Sequence, residues 1–272
     1  MGRRLSADQV EFYAREGYLA PFRAIPAAEA AARRTGLDAF EREEGFSAGS
    51  IHMKGHLAFR WSWALARNTA ILDVVEDLIG PDILVFASKF WIKGGRDGIF
   101  VSWHQDSAYF GLEPHALVTA WVALTPSHPA NGCVRVMPRS HTGPAFSHRE
   151  TYHEKNLLAR GQTIDGIDET KAVDLVLEAG EFSLHHERIV HGSTANETDD
   201  ARIGLALFYI PTEVRSTLGR RTAALVRGTD RFGHWDTDPE PARDRDPAIL
   251  AHMRAAMARY KDRSVAQEAE TG

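Results

Sequence analysis

The chain is poor in cysteine: Cys133 is the only one among 272 residues. A disulfide within the chain is excluded, as is a zinc site built from several thiolates, and a reducing cytoplasm is the expected setting. Long apolar runs are also missing, so no membrane-spanning helix is expected. Met1-Gly2-Arg3-Arg4 leads into a polar amphipathic stretch rather than a signal-peptide core. Neither sign of charge dominates, with 32 Lys and Arg against 37 Asp and Glu and a net charge of −5. That balance gives no electrostatic footprint for nucleic acid or an anionic membrane surface. Internal repeats and low-complexity linkers are absent as well. What remains is a globular composition, 43% apolar and 25% charged, in a chain long enough to bury a substantial core.

The first eighty residues read as helical. Ser6-Ala7-Asp8-Gln9 has the pattern of a capping box, opening a short helix that stops near Gly17. Pro26 starts an alanine-rich helix that ends at Gly45, and Asn68 caps a third that stops at Gly80-Pro81. From Ile83 the character changes to short β-branched and aromatic segments: 83–93, 99–106, 117–124, 133–137, 172–177, 182–185 and 203–210. Turn signals such as Gly94-Gly95 and Asn131-Gly132 separate them. Such an order predicts a β-sandwich or open barrel with helices on one face. Residues 138–171 form a long polar connection. Asp246-Pro247 begins a C-terminal helix expected to reach about Lys261. The expected organisation is one domain over 1–272: a helical part at 1–80, a β core at about 83–212 and a helix at about 247–261.

Chemistry concentrates at His104-Gln105-Asp106 and, far downstream, His191-Gly192-Ser193. In an extended strand, residues i and i+2 face the same side, so His104 and Asp106 can meet one metal ion. His191 on a facing strand adds the second imidazole. Two imidazoles and a carboxylate cover one face of an octahedron and leave the other open, the ligand pattern of non-haem Fe(II) oxygenases. His185 and His186, one short segment earlier at a strand end, are rival distal ligands, and it is the His191-Gly192-Ser193, Asn196, Arg202 pattern taken up below that favours His191.

The surroundings of these ligands resemble the phytanoyl-CoA dioxygenase family. The matching pieces are Val101-Ser102-Trp103-His104-Gln105-Asp106, Thr119-Ala120-Trp121-Val122-Ala123-Leu124, and Asn131-Gly132-Cys133 through Ser140-His141. Further on come His191-Gly192-Ser193, Asn196 and Arg202-Ile203-Gly204, and the N-terminal Leu5-Ser6-Ala7-Asp8-Gln9 to Leu19 also looks alike. The resemblance implies a mainly β fold with flanking helices, a double-stranded β-helix of jelly-roll, cupin-like form. It implies Fe(II), the cosubstrate 2-oxoglutarate, O2 and a small-molecule substrate, with C–H hydroxylation releasing succinate and CO2. His104, Asp106 and His191 become the metal ligands. Arg202 grips the distal carboxylate of 2-oxoglutarate, because a guanidinium fork matches a carboxylate bidentately. Ser193 donates beside it, Trp121 and Phe90 wall the cosubstrate, and Lys54 stands where the family often has a cosubstrate-contacting lysine. Asp106 itself matters, because relatives that halogenate carry a small residue there; its carboxylate points to hydroxylation, or to a related desaturation or ring closure.

Substrate contacts are expected from Gln105 and Tyr109 beside the ligands and from a basic set, Lys89, Lys93, Arg135 and Arg139. Lys89, Trp91 and Lys93 alternate and so share one face. Arg139 replaces a glycine common in the family, which marks it as an anion contact for a phosphonate, phosphate or carboxylate. Trp61, Trp63 and Tyr109 offer the alternative of a cage for a quaternary amine. Two other classes stay open at this point. One is a non-oxidative metal-dependent hydrolase or isomerase using the same ligands, and the other is an inactive binding or sensor protein.

Overall fold

A computed structural model describes residues 4–158 and 161–271, with side chains through residue 260. Helix α1 spans Ala7–Glu16, and its capping box is formed: Gln9 N donates to Ser6 Oγ, and Ser6 N donates to Gln9 Oε1. Helices α2 (Ala27–Glu44), α3 (Gly55–Ala58), α4 (Arg60–Ala66) and α5 (Thr69–Ile79) follow, the last capped by Asn68 Oδ1. Between α1 and α2 lies a strand the helical reading missed, β1 (Tyr18–Arg23). It contains Pro21 and takes the edge of a sheet, where a residue without an N–H is tolerated.

The further strands of the two main sheets are β2 (Ile83–Lys93), β3 (Val101–His104), β4 (Val118–Ala123), β5 (Val134–Val136), β6 (Val173–Leu175), β7 (Glu181–His186), β8 (His191–Ser193), β9 (Arg202–Pro211), β10 (Thr222–Arg227) and β11 (Asp236–Thr237). A seven-stranded sheet runs β1-β7-β4-β9-β2-β10-β11, and a four-stranded sheet runs β3-β8-β5-β6. Pairing is antiparallel except between β10 and β11. The large sheet thus draws strands from both sides of the 83–212 span. Two facing antiparallel sheets flanked by helices make the double-stranded β-helix.

The two-residue period of a strand assigns each side chain of the large sheet to one of two cores. In β9, Ile203, Leu205, Leu207 and Tyr209 point outward and pack, with Val122 and Leu184, against the helices. Each such fully buried apolar side chain contributes roughly 1.5–3 kcal/mol relative to exposure. Their alternates Arg202, Gly204, Ala206 and Phe208 point inward, toward the small sheet's Val134, Val136 and Leu175. The inner face is therefore where polar residues stand among apolar ones. Helix α7 (Pro247–Thr271) continues past the expected end near 261, and its Ile249 and Met253 join the outer core.

Candidate active site

Strand β3 ends at His104, which pairs directly with His191 of β8, so their rings lie 4.1 Å apart between the sheets. Asp106 does not continue that strand. Its backbone is helical (φ −59, ψ −33) and leads into the single turn α6 (Ser107–Phe110). The shared-strand geometry expected for His104 and Asp106 is therefore corrected: the chain turns after His104 and brings the carboxylate back. Asp106 Oδ1 lies 3.6 Å from His104 Nε2 and 3.9 Å from His191 Nε2. Its Oδ2 accepts a hydrogen bond from Thr119 Oγ1 at 3.2 Å.

Both imidazoles are held in one tautomer. His104 Nδ1 donates to Ser102 O at 2.9 Å and His191 Nδ1 to Ile189 O at 3.0 Å, which leaves each Nε2 lone pair facing Asp106. Burial pushes the Asp106 carboxyl up, but His191, His104 and His185 outweigh it and bring it down to about 2. Burial also holds His191 well below the ordinary histidine value. A neutral His191 beside an ionised Asp106 is the pairing a metal requires. Among the described residues, these three are the group whose ligand atoms converge, within 4.8 Å of one another.

His185 stands close by. Its Nε2 is 4.0 Å from Asp106 Oδ2, and its ring is 4.7 Å from that of His191. His186, next along β7, points to the other side and packs on Tyr13 and His141.

The cavity over the ligands has two lobes that share Trp91, His104, Asp106 and Phe208. One runs between the sheets to Trp121, Ser193 and Arg202. Arg202 is 1% exposed; Nη2 donates to Gly132 O at 2.7 Å, while Nε and Nη1 meet no acceptor. Burial lowers it to about 10, so it stays cationic at neutral pH. The Trp121 ring lies 5.0 Å from the guanidinium carbon and directly over Gly204, where a Cβ would sit 2.0 Å from the indole. Glycine at 204 is thus what lets the tryptophan lie flat beside the cation. A buried cation with two idle N–H nitrogens calls for an anion.

The family model for phytanoyl-CoA dioxygenase matches residues 3–204. The chain belongs to the phytanoyl-CoA dioxygenase family. It is 30% identical over 166 residues to a probable alpha-ketoglutarate-dependent hypophosphite dioxygenase of Stutzerimonas stutzeri, covering 60% of this chain and 58% of that one. It is 31% identical over 144 residues to the peroxisomal phytanoyl-CoA dioxygenase of Bos taurus, covering 51% and 43%. The chain thus spans about half the length of these curated relatives. Among solved structures it is similar to the apo form of the non-heme monooxygenase ThoJ, at 33% identity and a TM-score of 0.84, covering 97% of this chain and 99% of that one.

Against the family pattern, several expected contacts lie elsewhere. Phe90 faces outward, as its place between inward Lys89 and Trp91 requires, and packs on Phe59 and Trp61. Lys54 is buried with all three of its donors used, on Phe86 O, Thr222 O and Asp238, and lines neither lobe. Lys93 faces inward at the Arg202 end, where Nζ donates to Ser193 Oγ at 2.6 Å and to the carbonyls of Gly132 and Thr194. It is spent on the wall of the first lobe. Gln105 is buried with both ends satisfied, by Arg188 O and Phe146 N. Arg135 points away between inward Val134 and Val136, pairing with Glu169 and Asp174.

Arg139 is on the surface, forked onto Glu16. Its φ of +68 explains the family's glycine there: the position needs a left-handed turn, which glycine adopts without strain. Trp61 and Trp63 lie among the helices, away from either lobe.

The second lobe is lined by Lys89, Tyr109, Leu157, Met257 and Tyr260 among others. Lys89 Nζ donates to Leu157 O at 3.1 Å and sits 4.0 Å from the Trp91 ring centre, and burial lowers it to about 8. Thr119 and Phe208 were missed, although the same alternation that puts Trp121 and Arg202 inward puts them there. Met257 and Tyr260 of α7 left no sequence signal, because nothing local tells a helix which cavity it covers.

Proposed function

We propose that the chain is an Fe(II)- and 2-oxoglutarate-dependent dioxygenase that hydroxylates a C–H bond of a small polar metabolite, releasing succinate and CO2. One observation carries the reading: a buried His104/Asp106/His191 cluster and a buried, half-unpaired Arg202 line one cavity. The donor set, two nitrogens and an oxygen, suits Fe(II) with positions left open. Bound there, Fe(II) would supply the O2 chemistry that couples 2-oxoglutarate decarboxylation to C–H oxidation. The relatives named for alpha-ketoglutarate dependence agree with this assignment.

The chain's own part is to orient and to exclude water. Nε2 of His104 and of His191 and one oxygen of Asp106 would hold the metal, each imidazole fixed by its backbone carbonyl. Nη1 of Arg202, with the second N–H of Nη2, would form the fork that takes the distal carboxylate of 2-oxoglutarate, with Ser193 beside it and Trp121 along its flank. The apolar walls Trp91, Ala206 and Phe208 keep solvent off the reacting groups. A non-oxidative hydrolase or isomerase on the same three ligands would need no site for a cosubstrate carboxylate.

The second lobe is the substrate side. Its aromatic walls Trp91, Tyr109, Phe110 and Tyr260 stand with one lysine, Lys89. That cation favours a substrate with a carboxylate, phosphonate or phosphate over a quaternary amine, which it would repel. Aminoalkylphosphonates and acidic natural-product intermediates fall in this class, and one relative is itself named for an oxyanion, hypophosphite. The test is a metabolite panel scored for substrate-stimulated succinate formation with Fe(II), 2-oxoglutarate and O2. Anionic members should stimulate wild type and lose most of the effect in Lys89→Met. Stimulation by cationic members alone, untouched by Lys89→Met, would reverse the substrate class.

A further inference from the structure

Lys93 is fully buried behind the Arg202 end of the first lobe, and its Nζ meets three oxygens: Ser193 Oγ at 2.6 Å, Gly132 O at 3.4 Å and Thr194 O. Gly132 O also accepts from Arg202 Nη2, so the two basic groups share a carbonyl. Glycine suits position 132, because a Cβ there would lie 2.2 Å from Thr194 O and 3.0 Å from Lys93 Nζ. Ser193 and Arg202 line the first lobe, whereas Lys93 lines neither lobe and reaches the cavity only through Ser193.

The three oxygens suit both protonation states of Lys93. Two are carbonyls, which only accept, whereas the Ser193 hydroxyl can accept or donate. As an ammonium, Lys93 has three N–H groups and no lone pair, so Ser193 Oγ accepts and its own O–H is left for another acceptor. As a neutral amine, Lys93 gives two N–H groups to the carbonyls and takes the Ser193 O–H on its lone pair. No heavy atom has to move between the two states; only the hydroxyl turns. Lys93 is the one hydrogen-bond partner of Ser193 Oγ among the described residues.

Burial, and then Arg202, lower Lys93 to about 6 against the opposing pull of Asp97 and Cys133. These are the titratable groups that face it: Arg202 from β9, Asp97 beyond the end of β2, and Cys133 just before β5. Arg202 keeps its charge near neutral pH, and the Cys133 thiol, pushed up to about 12 by burial, stays protonated. Lys93 thus changes charge close to neutral pH, beside a cation that does not.

We propose that Lys93 is a positioning residue: its proton turns the Ser193 hydroxyl toward the distal carboxylate of 2-oxoglutarate, and cosubstrate binding draws that proton in. This rests on the 2-oxoglutarate reading above. The bound anion stabilises the ammonium, so Lys93 titrates higher in the complex than in the free chain. Between those two values binding takes up a proton, and affinity falls as pH rises. Below about 6 Lys93 is charged with or without 2-oxoglutarate, and its share of the pH dependence vanishes.

The experiment is anaerobic calorimetry of the full chain with saturating Mn(II) and 2-oxoglutarate, from about pH 6 to 8.5, in buffers of different ionisation enthalpy. Wild type should take up as much as one proton per 2-oxoglutarate, and its Kd should rise by up to about tenfold per pH unit above pH 6. Lys93→Met should abolish both the uptake and the slope. Lys93→Gln, which keeps a polar end should the methionine variant fail to fold, should do the same. Ser193→Ala should weaken binding most at the acid end, with a cost that shrinks as pH rises and the hydroxyl turns away on its own. Uptake and slope unchanged in both Lys93 variants, or a Ser193→Ala cost constant across pH, overturns this inference while leaving 2-oxoglutarate binding itself intact. A wild type that binds no 2-oxoglutarate at any pH overturns the cosubstrate reading and this inference together.

Discussion

Replacing Arg202 by methionine removes the fork that would hold 2-oxoglutarate while keeping much of the side chain's volume. A guanidinium fork on a carboxylate makes two charge-assisted bonds, each worth roughly 1.5–3 kcal/mol, and Arg202 is buried with unpartnered N–H groups. Losing both costs about 3–6 kcal/mol, a weakening on the order of 10²–10⁴ in the Kd for 2-oxoglutarate. The protein without 2-oxoglutarate should respond differently. Arg202→Met gives up the bond to Gly132 O and the contact with Trp121, but it also relieves an unpaired buried charge. Its stability should therefore stay within about 1–2 kcal/mol of wild type. Anaerobic calorimetry with Mn(II) in place of Fe(II) reads the affinity, and thermal unfolding with and without 2-oxoglutarate reads the linked stabilisation. Arg202→Lys keeps the charge without the planar fork and should fall between the two. A Kd within threefold of wild type in Arg202→Met would refute the assignment.

Three further outcomes follow from the geometry. His104→Ala, Asp106→Ala and His191→Ala should each abolish Mn(II) binding by calorimetry, whereas His185→Ala should hold affinity within about tenfold, since His185 approaches Asp106 Oδ2 and not the shared Oδ1. Loss of metal in His185→Ala equal to that of a ligand variant would make it a fourth ligand. Gly204→Ala places a Cβ 2.0 Å from the Trp121 indole; overpacking should cost about 1–3 kcal/mol in chemical denaturation and weaken 2-oxoglutarate, and a neutral effect on both would contradict the packing. Glu187 is fully buried, with one oxygen unpartnered, and burial raises it to about 8. It binds a proton in the folded chain that it loses on unfolding between roughly pH 4.5 and 8, so its contribution to stability falls as pH rises through that window. Glu187→Gln should flatten the fall, by on the order of 1–3 kcal/mol at pH 8. An unchanged pH profile would count against a protonated Glu187.

Periodicity and capping carried most of the architecture. The β9 alternation separates Arg202 and Phe208 from Leu205 and Leu207, and the Ser6–Gln9 capping box and the Asn68 cap mark two helix starts. β1 was not legible, because an edge strand with a proline lacks the pattern of a central one. In the site, residue types with one chemical use pointed to the cluster, and the structure brings His104, Asp106 and His191 together. The backbone turn that delivers Asp106 left no such mark. Surface and core charges read worst: Lys54, Lys93, Arg135 and Arg139 are each consumed by partners distant in sequence. Arg139 is the instructive case, since a departure from glycine there reports a φ of +68 and not a ligand.

The central claim is that this cavity brings Fe(II), 2-oxoglutarate and O2 to one reaction. A single-turnover measurement tests it most directly: the chain is loaded anaerobically with Fe(II) and one equivalent of labelled 2-oxoglutarate, an anionic substrate from the panel is added, and O2 is admitted. One succinate and one CO2 per chain should form, with none in His191→Ala. Recovery of the 2-oxoglutarate unchanged from iron-loaded wild type would contradict the claim.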